Sequence, residues 1–422
     1  MTTATLTNIR SAKRAMPSWL AFNTWAVVLG AASGFACVAV RLFFRLLQFV
    51  FVQQSGMLPL AAATLPSARR ILIPIIGAAF ATLVVWMQRR SKPALPFEEY
   101  VEAVRLRDGR IPLLSTIWRT LSSAFSVASG AAIGREGSMI QFAAAICSWV
   151  GERSPLRQLS LSRQVAYGAA AAVAAAYQAP IAGVFFATEI VLGNWEWNDI
   201  PPLLLASSTG WFVSRVALGA GPLFPLKQSL PMTPDLLWVL PLALVLGAVG
   251  PAYQKLLHVS RAARRLPLAL LWSGLAVGLL SLIEPKVWGN GDAALLGLLQ
   301  NKTTLLATLT VLACRLSATT FCVGTGTVGG VFTPTLFAGA ALGLAAGHVL
   351  HYPDPAILAI CGMGLLMAAV THAPIMAAWM AVELTGQWHL LVILLPCTLL
   401  ASLIARTISH ESLYAIASPE PA

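Results

Sequence analysis

Residues 120–151 read TLSSAFSVASGAAIGREGSMIQFAAAICSWVG, two charge-free stretches, Thr120–Gly134 and Gly137–Gly151, parted by Arg135 and Glu136 alone. Each stretch has 15 residues. At about 1.5 Å rise per residue such a helix covers about 22 Å, short of the roughly 30 Å hydrocarbon core of a bilayer. Two short apolar helices around a glycine-bracketed charge pair predict helices that break within the membrane. Unwound backbone at that depth is tolerated only where protein or a cavity surrounds it, so the stretch predicts a transport pathway.

The rest of the chain fits that setting. Of 422 residues, 57% are hydrophobic and 10% charged, with a mean hydropathy of +0.75; soluble domains carry about 25% charged residues. The charges cluster, and Met16–Val40, Gln164–Thr188, Leu316–Tyr352, Pro355–Val382 and Leu384–Ala405 each run more than 20 residues without one. Since roughly 20 apolar residues make a span, the chain is predicted to be an all-α polytopic membrane protein. Met16–Val40, Ile71–Gln88, Leu236–Gln254, Leu266–Ile283 and Leu384–Ala405 are the stretches expected to cross. A polar segment, 1–17, precedes a membrane domain over 18–408, and 409–422 form a short tail.

The net charge of +12 sits at segment ends, as in Arg69-Arg70, Arg89-Arg90, Lys92 and Arg261, Arg264, Arg265, where loops meet lipid headgroups. No basic stretch is interleaved with aromatics outside the apolar runs, so nucleic acid is not an expected partner. The six cysteines fall within apolar segments without CxxC or CxxH spacing and read as core hydrophobes, leaving no disulfide and no metal site to expect. Arg10, Lys13 and Arg14 precede a segment of spanning length, so no cleaved leader is expected, and a bacterial inner (plasma) membrane fits.

The chain repeats itself. Ala179-Pro180-Ile181 followed by Glu189 matches Ala373-Pro374-Ile375 followed by Glu383 at an offset of 194. Phe125-Ser126-Val127, Ser129-Gly130 and Gly134 match Phe321-Cys322-Val323, Thr325-Gly326 and Gly330 at an offset of 196. Two halves follow, about 18–220 and about 235–408. Duplicated halves place a transporter's substrate site at their interface, near the midplane, and an odd number of crossings per half would invert them.

Gly134-Arg135-Glu136-Gly137 carries the first candidate site. An ionisable residue at membrane depth is a functional hypothesis by default. The glycines allow a sharp turn and bare the amides that open the next helix, which with the positive helix end form an anion site. Glu136 beside it can act as a tethered competitor for a permeating anion; the plainer reading is a local Arg135–Glu136 ion pair. The second site is Gly324-Thr325-Gly326-Thr327-Val328-Gly329-Gly330-Val331-Phe332-Thr333-Pro334, a glycine-rich loop feeding a bare helix start. Gly326 and Gly330 also have helix-packing GxxxG spacing. Glu189 and Glu383 read as proton-relay groups or as helix caps. Tyr414 reads as an anion-donating phenol or an interfacial anchor. No Ser/His/Asp set, HExxH or P-loop is present, so the chain is not expected to be an enzyme, and no cofactor is implied.

These motifs, in this order, resemble the CLC family of chloride channels and proton/chloride exchangers over roughly residues 20–416. Gly134-Arg135-Glu136-Gly137 looks like its GREGP motif, with Ser138 for the Pro and Gln141 retained. Gly329-Gly330-Val331-Phe332-Thr333-Pro334 looks like its GGxFxP motif. Tyr177–Gly183 resembles the segment before its inner helices, and Ser412-Leu413-Tyr414 the end that supplies the central tyrosine. Gly289-Asn290-Gly291, Ala132-Ile133 and Thr371–Pro374 make the bacterial ClcB-type branch the closest in appearance.

The resemblance implies a fold of two antiparallel (inverted) helical repeats with broken and re-entrant helices, assembled as a homodimer in membrane lipid with one anion pathway per subunit. It implies Glu136 as the gating glutamate. Gly134, Arg135, Gly137, Gly329, Gly330, Val331 and Phe332 then form the anion-facing loops, and Tyr414 supplies the central hydroxyl. No C-terminal regulatory domain is expected. Two departures follow from the same likeness. The GSGIP motif aligns with Lys92-Pro93-Ala94-Leu95-Pro96, so Pro93 replaces the anion-contacting Ser and brings no amide donor; Pro there is associated with nitrate preference. The relay glutamate of exchangers falls at Ile190, which has no proton to pass, leaving Glu189 or water as a substitute.

The expected function is therefore passage of chloride or another small inorganic anion past Glu136, channel-like or weakly coupled to protons. Proton/chloride or proton/nitrate antiport is the alternative within the same likeness. An unrelated transporter of organic anions would need a more polar pocket than these spans offer.

Overall fold

The computed structural model describes residues 18–54, 56–90, 99–154, 159–219, 221–226, 234–300 and 303–414. The 1–17 segment, Pro93 and most of the tail lie outside them. The described residues form helices throughout, and six are long and apolar enough to cross a membrane.

α1 (Ser18–Val52), α3 (Ser67–Arg90), α10 (Val239–Ser260) and α17 (Leu391–Ile408) are long helices with apolar outer faces. α1 runs 12 residues beyond the expected end at Val40, because Arg41 and Arg45 are carried inside the helix rather than ending it. α2 (Leu58–Thr64) and α4 (Tyr100–Leu106) are short connectors. Guanidinium groups of Arg90, Arg153 and Arg215 lie over Trp86, Trp149 and Trp211, the aromatic and basic pairing of a membrane interface.

The charge-free runs are broken where the sequence supplies left-handed turns. α5 (Leu113–Ala128) and α6 (Glu136–Gly151) part at Gly130, whose φ is +119°. α7 (Leu161–Tyr177) ends on Gln178 at φ +58° and Pro180 opens α8 (Pro180–Phe186). In the second half, α13 (Leu305–Gly324) and α14 (Phe332–Val349) part at Gly326, φ +84°. α15 (Pro355–Thr371) ends on His372 at φ +57°, and Pro374 opens α16 (Pro374–Thr385). Leu384–Ala405 is therefore not one span. Gly386, φ +73°, stops α16 and the chain restarts as α17. The remaining helices are α9 (Ile200–Leu218), α11 (Ala269–Ile283) and α12 (Asp292–Gln300).

Two helices are largely buried, α7 from Gln164 through its alanine run to Tyr177 and the apolar α15, of which 357–371 are inside. Their neighbours come close because small residues meet. A Cβ on Gly343 would stand 2.0 Å from the Leu358 carbonyl oxygen, and one on Gly339 2.2 Å from that of Gly362, so α14 packs backbone to backbone on α15.

The halves touch through equivalent residues. Gly134 N donates to Gly330 O and Gly330 N to Gly134 O, both at 2.7 Å, in an antiparallel bridge. The Glu383 carboxylate accepts from Ile181 N and Ala182 N at 3.0 and 2.7 Å. That of Glu189 accepts from Ile375 N and Met376 N at 3.3 and 2.8 Å. Contact of i with j and of j with i is the mark of a two-fold axis; here it lies inside one chain.

The halves differ behind the Ala-Pro-Ile blocks. From Pro180 to Gly193 is one residue longer than from Pro374 to Gly386, and the extra residue falls within 190–192. There the first half widens into a π-helical turn, Ala187–Leu192, while α16 stays α-helical. A single insertion into an α-helix is accommodated in this way.

Candidate functional site

The site lies where the two glycine loops cross. Backbone contact demands glycine: a Cβ on Gly134 would stand 2.8 Å from Gly330 O, and one on Gly137 2.7 Å from Gly330 Cα. The crossing sets the starts of α6 and α14 side by side. The first four amides of a helix lack an intrahelical acceptor, and no side chain caps either start. α8 and α16, by contrast, are capped by Glu383 and Glu189 from the opposite half.

Glu136, in the first turn of α6, is 4% exposed. Asn290 Nδ2 donates to its Oε1 at 2.6 Å, and the Thr333 hydroxyl to its Oε2 at 3.2 Å. Thr333 has one proton and spends it on the carboxylate, so the Tyr177 hydroxyl, 3.2 Å away, donates to Thr333. Arg135 Nε stands 3.5 Å from Glu136 Oε1, and its Nη2 3.4 Å from Asp292 Oδ2. The local ion pair and the buried carboxylate at a helix crossing are thus both present.

Asn290 is held from both halves. Gly289 N donates to Gly130 O at 3.0 Å, Trp288 packs on Gly130, and the buried Arg315 guanidinium donates to the carbonyls of Lys286, Val287 and Gly289. Asn290 and Thr333 were named in the sequence only within motifs. Their signal was an amide between two glycines and a hydroxyl one residue into a helix. Ser138, standing where the resembled motif has Pro, donates to the Ser123 hydroxyl at 2.7 Å and fastens α6 to α5.

An aromatic wall leads away from Glu136. Phe332 lies 5.2 Å from the Tyr177 ring and 6.4 Å from that of Phe186; Phe186 meets the half-buried Tyr414 edge to face at 6.2 Å. Tyr414 faces the Tyr100 hydroxyl, and Leu413 N is tied to Val370 O at 2.9 Å. Gln141 Oε1 accepts from Tyr100 N at 3.0 Å, tying α6 to the start of α4. Gly134, Arg135, Glu136, Gly137, Gly329, Gly330, Val331 and Phe332 are thus brought together at the crossing, and Tyr414 is joined to them through Phe186. Glu189 does not join them; its carboxylate is spent on α16. Ile190 is buried in the π turn, 2% exposed.

A family model described as voltage gated chloride channel matches residues 77–406. A ClcB-like chloride channel protein of Ralstonia nicotianae is 36% identical over 404 residues, 92% of this chain and 94% of the relative. The voltage-gated ClC-type chloride channel ClcB of Shigella flexneri is 36% identical over 406 residues, 92% of this chain and 96% of its own. Among solved structures, a slow cyanobacterial Cl−/H+ antiporter superposes with a TM-score of 0.82 at 23% identity, covering 94% of this chain and 96% of that one.

Proposed function

The chain belongs to the voltage gated chloride channel (CLC) family of anion-transporting membrane proteins, and from that membership we propose that it passes chloride and similar small anions along a route gated by Glu136, channel-like or weakly coupled to protons. One observation carries the reading: the Glu136 carboxylate is buried at the crossing of two uncapped helix starts, hydrogen-bonded by the neutral Asn290 and Thr333 with Arg135 beside it. A carboxylate in that position stands in for a permeating anion. When it is protonated or swings aside, the amides of α6 and α14 face the route. The aromatic wall then leads the anion to the Tyr414 hydroxyl.

Pro93 puts nitrate among the anions carried. The working form is a homodimer in a bacterial inner membrane, each subunit with its own route. Antiport is the second reading, favoured by the presence of both Glu136 and Tyr414. Its inner proton carrier would be Glu189 or water, since Ile190 does not titrate.

The test is anion efflux from liposomes with Glu136→Ala. Removing the tethered competitor is expected to raise flux and to flatten its pH dependence. Unchanged flux and unchanged pH dependence would remove Glu136 from the gate.

A further inference from the structure

The proposed gate accounts for Arg135 and leaves a second buried guanidinium unexplained. Arg41 lies two thirds of the way along α1 and is 9% exposed. Its Nε is fully buried without a hydrogen-bond partner, and among the described residues no acceptor receives a bond from its other nitrogens. A buried charge persists when it is paired or hydrogen-bonded. Arg315, whose Nε is likewise without a partner, is relieved by three backbone carbonyls on its two Nη atoms; Arg41 has none.

The surroundings of Arg41 supply no such relief. Arg45, one turn on along the same helix face, and Arg135 both act on it as like charges. Glu136 and Asp292 are the opposite charges in reach, and both are already engaged. Arg135 stands between them, Asn290 and Thr333 hold Glu136, and Ala293 N donates to Asp292 Oδ1 at 2.6 Å. Arg45 is exposed, and of the other two guanidinium groups it is Arg135 that takes both carboxylates, leaving Arg41 without a counterion in hydrogen-bond contact.

We propose that Arg41, with Arg135 and Arg45 around it, forms an anion site at the mouth on the Glu136 side. Its ligand is a small monovalent inorganic anion, a halide or the planar nitrate that fits a guanidinium fork. The proposal deepens the reading of Glu136 as gate and rests on it for its place on the route. When the carboxylate is protonated or swings away, the cluster loses a negative charge and holds its anion more tightly. By reciprocity, an anion held there favours the open gate.

The experiment joins bromide-soaked crystals of the full chain, read by anomalous diffraction, with chloride flux in liposomes for wild type, Arg41→Met and Arg41→Lys. A bromide peak is expected within hydrogen-bond reach of Arg41, absent in Arg41→Met and kept in Arg41→Lys. The half-saturating chloride concentration of Arg41→Met is expected to rise roughly threefold or more as local anion enrichment is lost, with Arg41→Lys near wild type. The difference should persist in liposomes of phosphatidylcholine alone. Its disappearance there would assign the cation to an anionic lipid headgroup and overturn the proposal. Bromide at the α6–α14 crossing without bromide at Arg41 would overturn it too. So would a loss of maximal flux with half-saturation unmoved, which marks a merely structural arginine. If bromide sits at Arg41 while Glu136→Ala changes neither flux nor its pH dependence, the gate reading fails and this site stands.

Discussion

At the scale of single residues the gate is a question of who holds a carboxylate. The short Asn290 bond places an uncharged donor on a buried charge, and hydrogen bonds to charged groups are worth about 1.5–3 kcal/mol. Asn290→Leu removes that donor at nearly constant volume. The closed position of Glu136 should weaken, and chloride flux at neutral pH should rise severalfold. In a Glu136→Ala background the same change should do nothing, since the group it serves is gone; a double-mutant cycle of liposome fluxes checks this. Additive effects would mean that Asn290 acts on the route independently of the gate. Glu136 was legible in the sequence because a lone carboxylate between charge-free stretches is costly. Asn290 was legible only as part of a glycine-flanked loop, because its partner lies 154 residues away and no local pattern announces it. Arg41 was misread as the end of a span, although the apolar residues from Leu42 to Val52 continue the helix past it.

At the scale of elements, the Ala-Pro-Ile blocks and the glutamates behind them were visible as repeats, while what each glutamate touches was not. Each reaches across to cap the equivalent helix of the other half, a contact defined only once the halves are packed. The sequence left cap and relay open for this reason, and the geometry now separates them by experiment. A carboxylate accepts from two amides at once. A glutamine offers one acceptor oxygen and turns an NH2 toward the other amide. Glu189→Gln and Glu383→Gln should therefore each lower the unfolding temperature in detergent, by on the order of 2 °C for the loss of a helix cap. The two drops should be of similar size, as the internal two-fold demands. A relay at Glu189 would break that equality in another observable: proton movement would fall in Glu189→Gln and not in Glu383→Gln. The break at Gly386 escaped the charge pattern because a left-handed glycine carries no polarity; only its counterpart Gly193, at the end of the other half's π turn, marks it.

At the scale of the whole molecule the two halves are alike at the glycine crossing and unlike at the π turn. The glycine loops match Gly130 with Gly326 and Gly134 with Gly330, and they bridge each other through the second pair. Among the described residues the π turn, by contrast, falls in the first half alone, and it is there that Ile190 stands buried. Proton transfer needs groups that exchange protons or water between them, and an isoleucine packed among apolar neighbours offers neither. The Glu189 carboxylate beside it is turned to the α16 amides. Glu99, exposed and within electrostatic reach of Tyr414, is a carboxylate at the far end of the aromatic wall. The expectation is that chloride moves while protons do not. Liposomes holding the purified chain, with potassium and valinomycin clamping the voltage at zero, should show chloride flux down its gradient and no uphill proton movement. Uphill proton movement would establish exchange. Glu99→Gln and Glu189→Gln would then locate the inner carrier, whichever of them stops the protons while chloride still flows. If chloride stands still and nitrate moves under the same clamp, the anion preference lies with Pro93, and restoring Ser at that position should return chloride flux.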